Sequence, residues 1–116
     1  MRDFQRAAFL IVASAAVFAA LPAQAQTEFT GAGETSELDC DGGSVTIEGA
    51  SNVLTITGAC TSLRLMGASN RITIDLGKVS TIRVEGADNE IRWRAPGTAK
   101  PRLNVVGAAN RISRLR

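Results

Sequence analysis

Val45-Thr46-Ile47-Glu48-Gly49-Ala50-Ser51-Asn52-Val53-Leu54-Thr55-Ile56 sets two short alternating runs on either side of a Gly-Ala-x-Asn turn. The unit returns as Leu63-Arg64-Leu65, Gly67-Ala68-Ser69-Asn70 and Ile72-Thr73-Ile74. It returns again as Ile82-Arg83-Val84, Gly86-Ala87-Asp88-Asn89 and Ile91-Arg92-Trp93. Leu103-Asn104-Val105, Gly107-Ala108-Ala109-Asn110 and Ile112-Ser113-Arg114 make a further copy. The turns follow one another at spacings of 18, 19 and 21 residues. Period two with β-branched residues specifies strands with one buried face. A repeat of about 20 residues marks a stacked architecture.

Working outward, Gly31-Ala32-Gly33-Glu34 lies 18 residues before Gly49 and reads as a degenerate first copy, with Glu where the others carry Asn. On the same offset Phe29 matches Ile47, Leu38 matches Ile56, and Ser36 replaces the inward Leu54. Such a copy suits a capping coil over residues 26–43. The expected fold is all-β: a parallel β-solenoid of about five coils, each of 18–21 residues. An antiparallel meander or sandwich is the rival, since short strands at even spacing also suit it. Length varies only in the second turn of each coil, where loops are expected to project. Gly and Asn both tolerate positive φ, so both are expected to bend the chain at the constant turn. In parallel coils Asn52, Asn70, Asn89 and Asn110 would stack as a hydrogen-bonded ladder. Arg114 takes the column of Ile56, Ile74 and Trp93, where its charge is expected to discourage another chain from adding to the edge.

Residues 1–25 read as a cleaved signal peptide. A basic start is followed by an uncharged, largely apolar run over 7–21, then Pro22 and the small-x-small site Ala23-Gln24-Ala25. The run is shorter than the ~20 residues of a spanning helix. The mature chain is then 26–116, one small domain, secreted or periplasmic. Its two cysteines, Cys40 and Cys60, are expected to pair in an oxidising compartment, with buried free thiols as the alternative.

The chain has no His and no Tyr, which excludes a Ser-His-Asp triad and His-ligated zinc or haem. Gly31-Ala32-Gly33-Glu34-Thr35-Ser36 lacks the Gly-Lys-Ser/Thr of a phosphate loop. Asp39-Cys40-Asp41-Gly42-Gly43 lacks the third oxygen ligand and the bidentate Glu of a calcium loop and reads as a solvated acidic turn. No cofactor is expected. Glu48 and Glu85 fall in one outward column and form the only candidate carboxylate pair, of the sort an inverting glycosidase uses. Trp93 lies in an inward column between Arg92 and Arg94, and is expected to fill the core. It could stack on a sugar or base only if the loop from Ala95 to Arg102 opened. Charge is ordered along the chain. Residues 26–60 carry a net −6 and residues 61–116 a net +7.

Cys40, the run Gly43-Ser44-Val45-Thr46-Ile47-Glu48-Gly49-Ala50-Ser51-Asn52, Gly58-Ala59-Cys60, the later Gly-x-x-Asn turns, Trp93 and Pro101 together resemble a family. It is the small secreted bacterial domain of unknown function numbered 3060. The resemblance spans about residues 38–115 and implies a secreted β-repeat domain with no assigned catalytic residues. The expected function is therefore a non-catalytic envelope binding or structural module. Its basic half, with Arg64, Arg83, Arg92, Arg94, Arg102 and Arg111, is expected to meet an anionic surface or polymer. The alternative is a carbohydrate-active enzyme on a β-helix scaffold. The compartment argues against nucleic acid. A monomer is expected, with weak head-to-tail self-association at low salt, because the two ends of a solenoid would differ in charge.

Overall fold

The structure, a computed structural model, describes residues 25–115; the leader expected over 1–25 lies outside them except for Ala25. Eight strands run in chain order: β1 (Gln26–Ala32), β2 (Thr35–Asp39), β3 (Ser44–Ala50), β4 (Val53–Ala68), β5 (Arg71–Ala87), β6 (Glu90–Arg94), β7 (Arg102–Ala108) and β8 (Arg111–Arg114). No helix occurs among the described residues, so none there is long and apolar enough to cross a membrane.

Each strand pairs in parallel with the segment one repeat away. Gly31, Gly49, Gly67, Gly86 and Gly107 stand in register from coil to coil. The second wall aligns Ser36, Leu54, Ile72, Ile91 and Ile112 in the same way. The chain is a parallel β-solenoid of about five turns, and an antiparallel meander is ruled out by this register. Its coils start at residues 26, 44, 62, 81 and 102.

Inward residues from both walls meet in one core. Val45, Ile47, Leu54, Ile56, Leu63, Leu65, Ile72, Ile74, Ile82, Val84 and Ile91 are at most 1% exposed. Each such side chain stabilises the fold by roughly 1.5–3 kcal/mol relative to exposure. Phe29, Leu38 and Ile112 at the two ends are half-buried against that core. At the last coil the inward-column residues Leu103 and Val105 are 52% and 42% exposed, because nothing among the described residues stacks beyond them, while Val106 is exposed in the outward column of Glu48 and Glu85.

Two local expectations are corrected. The variable turns after Ile56 and Ile74 are not projecting loops. The chain stays in strand through β4 and β5 and takes up the extra residues as irregularities around Cys60. Among the variable turns, the short passage from Cys40 to Gly43 and the longer one from Ala95 to Pro101 leave the sheet. The second correction concerns φ. Positive values fall on Gly49, Gly67, Gly86 and Gly107, and on the third turn residue: Ser51 (61°), Ser69 (60°), Asp88 (57°) and Ala109 (59°). Asn is not bent; its part is hydrogen bonding. Gly67 is needed for space as well, since an added Cβ would run into the Gly49 carbonyl oxygen one coil below.

Cys40 and Cys60 form a disulfide with their Cα atoms 5.7 Å apart, both fully buried. It ties the variable turn of the first coil to that of the second.

Candidate functional site

The constant turn is built around a polar column. Asn52 donates from its backbone N–H and from Nδ2 to Asn70 Oδ1, both at 3.1 Å. Asn70 does the same to Asn89 Oδ1 at 3.0 and 3.1 Å, and Asn89 to Asn110 Oδ1 at 3.1 and 3.0 Å. The second Nδ2 hydrogen of each Asn donates to a glycine carbonyl of the preceding coil: Gly31, Gly49, Gly67 and Gly86, all at 3.0 Å. Asn52, Asn70 and Asn89 are at most 1% exposed, and each makes every bond its carboxamide hydrogens can make. Backbone bonds run beside them, with Ser51, Ser69 and Asp88 N–H donating to the Ala carbonyl of the next coil. The bonds between asparagines therefore have a direction: the backbone N–H and one Nδ2 hydrogen point toward the C-terminal end and the Oδ1 acceptors toward the N-terminal end.

The six basic candidates do not converge on one patch. Arg64 and Arg83 are register partners on the wall of β3, β4, β5 and β7, and Arg102 stands on the last coil of that wall. Arg92, Arg94 and Arg111 lie on the opposite wall. There, acids compensate the cations. Glu90 accepts Arg71 Nε at 3.3 Å and Arg92 Nη2 at 3.4 Å, and Arg94 Nη1 lies 3.8 Å from Asp75 Oδ1. On the first wall Arg83 Nε lies 3.6 Å from Glu85 Oε2, while Arg64 and Arg102 have no ion pair among the described residues. Arg71 was not among the basic candidates, although its column with Glu90 and Arg111 follows from the turn spacing.

Glu48 and Glu85 do share an outward column with Met66 between them. That puts about 10 Å between their backbones. Glu85 faces Arg83, and both carboxylates stand on an open wall.

Trp93 is 7% exposed and belongs to the core. Arg114 stands on β8, which among the described residues pairs only with β6 and so is an outer strand of the sheet. Its guanidinium lies 5.0 Å above the Trp93 ring and donates to the Ala95 carbonyl at 3.3 Å and the Gly97 carbonyl at 2.7 Å. It forms a lid over one corner while remaining exposed on that outer strand. β7, the other strand of the last coil, pairs only with β5 among the described residues and is exposed along its whole length. Among the described residues no group of three or more Cys, Asp or Glu side chains could hold a metal ion.

The chain matches the family described as a protein of unknown function, DUF3060, over residues 47–108. The chain belongs to the DUF3060 family. The match begins at Ile47 and ends at Ala108, so it takes in three complete glycine turns and the start of a fourth while leaving the first coil, Cys40 and Asn110 outside. No curated protein and no solved structure matches the chain. The DUF3060 description assigns no activity.

Proposed function

We propose that this chain is exported under a leader spanning residues 1–25 and works outside the cytoplasm as a non-catalytic binding module for an anionic envelope polymer. One observation carries the reading. Arg64 and Arg83 stack on adjacent rungs with Arg102 on the coil beyond, and two of these three cations have no acid beside them among the described residues. Rungs about 4.8 Å apart on a flat wall present charge at a spacing that a repeating polyanion can follow. Thr46 and Asn104 extend the Arg64–Arg83 column at either end with hydrogen-bonding groups. The opposite wall is less suited, because Glu90 and Asp75 already hold Arg71, Arg92 and Arg94. The buried disulfide is compatible with export to an oxidising compartment.

Retention on immobilised heparin or lipopolysaccharide tests the reading. The protein is expected to bind at low salt and elute as salt rises. Replacing Arg64, Arg83 and Arg102 by Ala should move elution to much lower salt, and replacing Arg92 and Arg94 should move it little. No retention at low salt, or equal shifts from the two sets, would sink the proposal.

A further inference from the structure

We propose that the C-terminal end of the coil is a docking face for the N-terminal end of a second copy of this chain, with Glu34 of that copy continuing the asparagine ladder. The last rung leaves its directional bonds open. Asn110 donates one Nδ2 hydrogen to Gly86 O and accepts from Asn89, but its backbone N–H, its other Nδ2 hydrogen and its carbonyl have no partner among the described residues. The Ala109 N–H is in the same position, whereas its counterparts Ser51, Ser69 and Asp88 all donate to the next coil.

The first rung offers acceptors for these N–H groups and a backbone donor for the Asn110 carbonyl; only the Gly107 carbonyl, whose counterparts accept from an Asn Nδ2, gets no donor from Glu34. The Glu34 carboxylate lies over Gly31, with Oε2 3.2 Å from where a Cβ would stand. Asn52 and Asn70 Nδ2 occupy the same niche beside Gly49 and Gly67, at 2.9 and 3.2 Å. A carboxylate accepts and cannot donate, so it can begin a ladder whose acceptors face that way and can receive donors from a coil below. Stacked in the register that every other coil obeys, a second copy sets its Glu34 carboxylate over the Asn110 N–H and Nδ2. Its Ala32 carbonyl then meets the Ala109 N–H, and its Thr35 N–H meets the Asn110 carbonyl.

Apolar surface and charge agree with that register. It places the second copy's Thr27 and Phe29 over Leu103 and Val105, which are large apolar side chains left half-open. Residues 26–43 hold Glu28, Glu34, Glu37, Asp39 and Asp41 with no cation. Residues 95–115 hold Lys100, Arg102, Arg111 and Arg114 with no acid. Arg114 already fills the Trp93 corner, so the contact centres on β7 and the constant turn. Both ends of one copy can engage at once, which makes the contact head-to-tail and open-ended, building short rods.

Sedimentation velocity and light scattering, on protein produced from the full coding sequence, test this across concentration. The apparent mass is expected to climb above one chain as concentration rises, with salt weakening but not abolishing the rise. Glu34→Lys should weaken association at least tenfold, as should Arg111→Glu, each with unchanged circular dichroism and thermal midpoint. Glu34→Gln keeps an acceptor oxygen and should keep association at high salt. A single-chain mass at every concentration, or association that Glu34→Lys and Arg111→Glu leave untouched, overturns the proposal.

Discussion

Asn70 shows how one side chain can stabilise three coils. It accepts two bonds from Asn52, donates two to Asn89 and holds the Gly49 carbonyl, all while nearly sealed from water. Removing it strands donors on Asn52 and a carbonyl on Gly49 inside the stack. An unsatisfied buried group costs about 1–3 kcal/mol, and there is more than one. Ser69, beside it, is exposed and its hydroxyl joins no hydrogen bond among the described residues, although its φ of 60° is costly for a non-glycine residue. Asn70→Ala is therefore expected to lower stability by roughly 2 kcal/mol or more, and Ser69→Ala by less than about 0.5 kcal/mol. Denaturant melts of the two variants check this; equal midpoints would remove the ladder as a source of stability.

At the scale of elements, the lid formed by Arg114 on β8 over Trp93 on β6 is the most local test of packing. The guanidinium replaces the apolar side chain that a further coil would supply, covering the ring face while its N–H groups hold the loop carbonyls of Ala95 and Gly97. A cation over an aromatic face at a part-exposed site contributes about 0.5–1 kcal/mol. Trp93 is the chain's only tryptophan, so its fluorescence reports this corner alone. Arg114→Ala should shift that emission to the red and raise its quenching by acrylamide, with a small loss of stability. Unchanged emission would mean that the ring is shielded by the loop instead. The strands and their register were legible in the sequence because an alternating pattern and an invariant glycine leave one parallel alignment that buries every Ile and Leu column. The continuous strands β4 and β5 were not legible, since the extra residues between Ile56 and Leu63 look like a loop until the neighbouring backbone is seen to absorb them. The basic face was legible only as composition. Which arginines face acids depends on the lateral neighbours that the register creates, as with Arg71 and Arg92 around Glu90.

For the whole molecule, axial order follows chain order, so the acidic first coil and the basic last coil lie at opposite ends of one rod. Every strand pairing joins neighbouring coils and none skips one. Stability in such a stack is close to a sum of coil and interface contributions. The Cys40–Cys60 bond closes a loop worth roughly 3 kcal/mol against unfolding, and it secures the N-terminal side only. The last coil has one neighbour, an exposed strand and no covalent tie. Opening can then begin at that end and advance one interface at a time, which turns position along the rod into a scale of lifetimes. Backbone amides of 103–113 should exchange with deuterium first, those of 82–92 later, and those of 54–65 last, near the disulfide. A single common exchange rate for all of them would show instead that the coils open together.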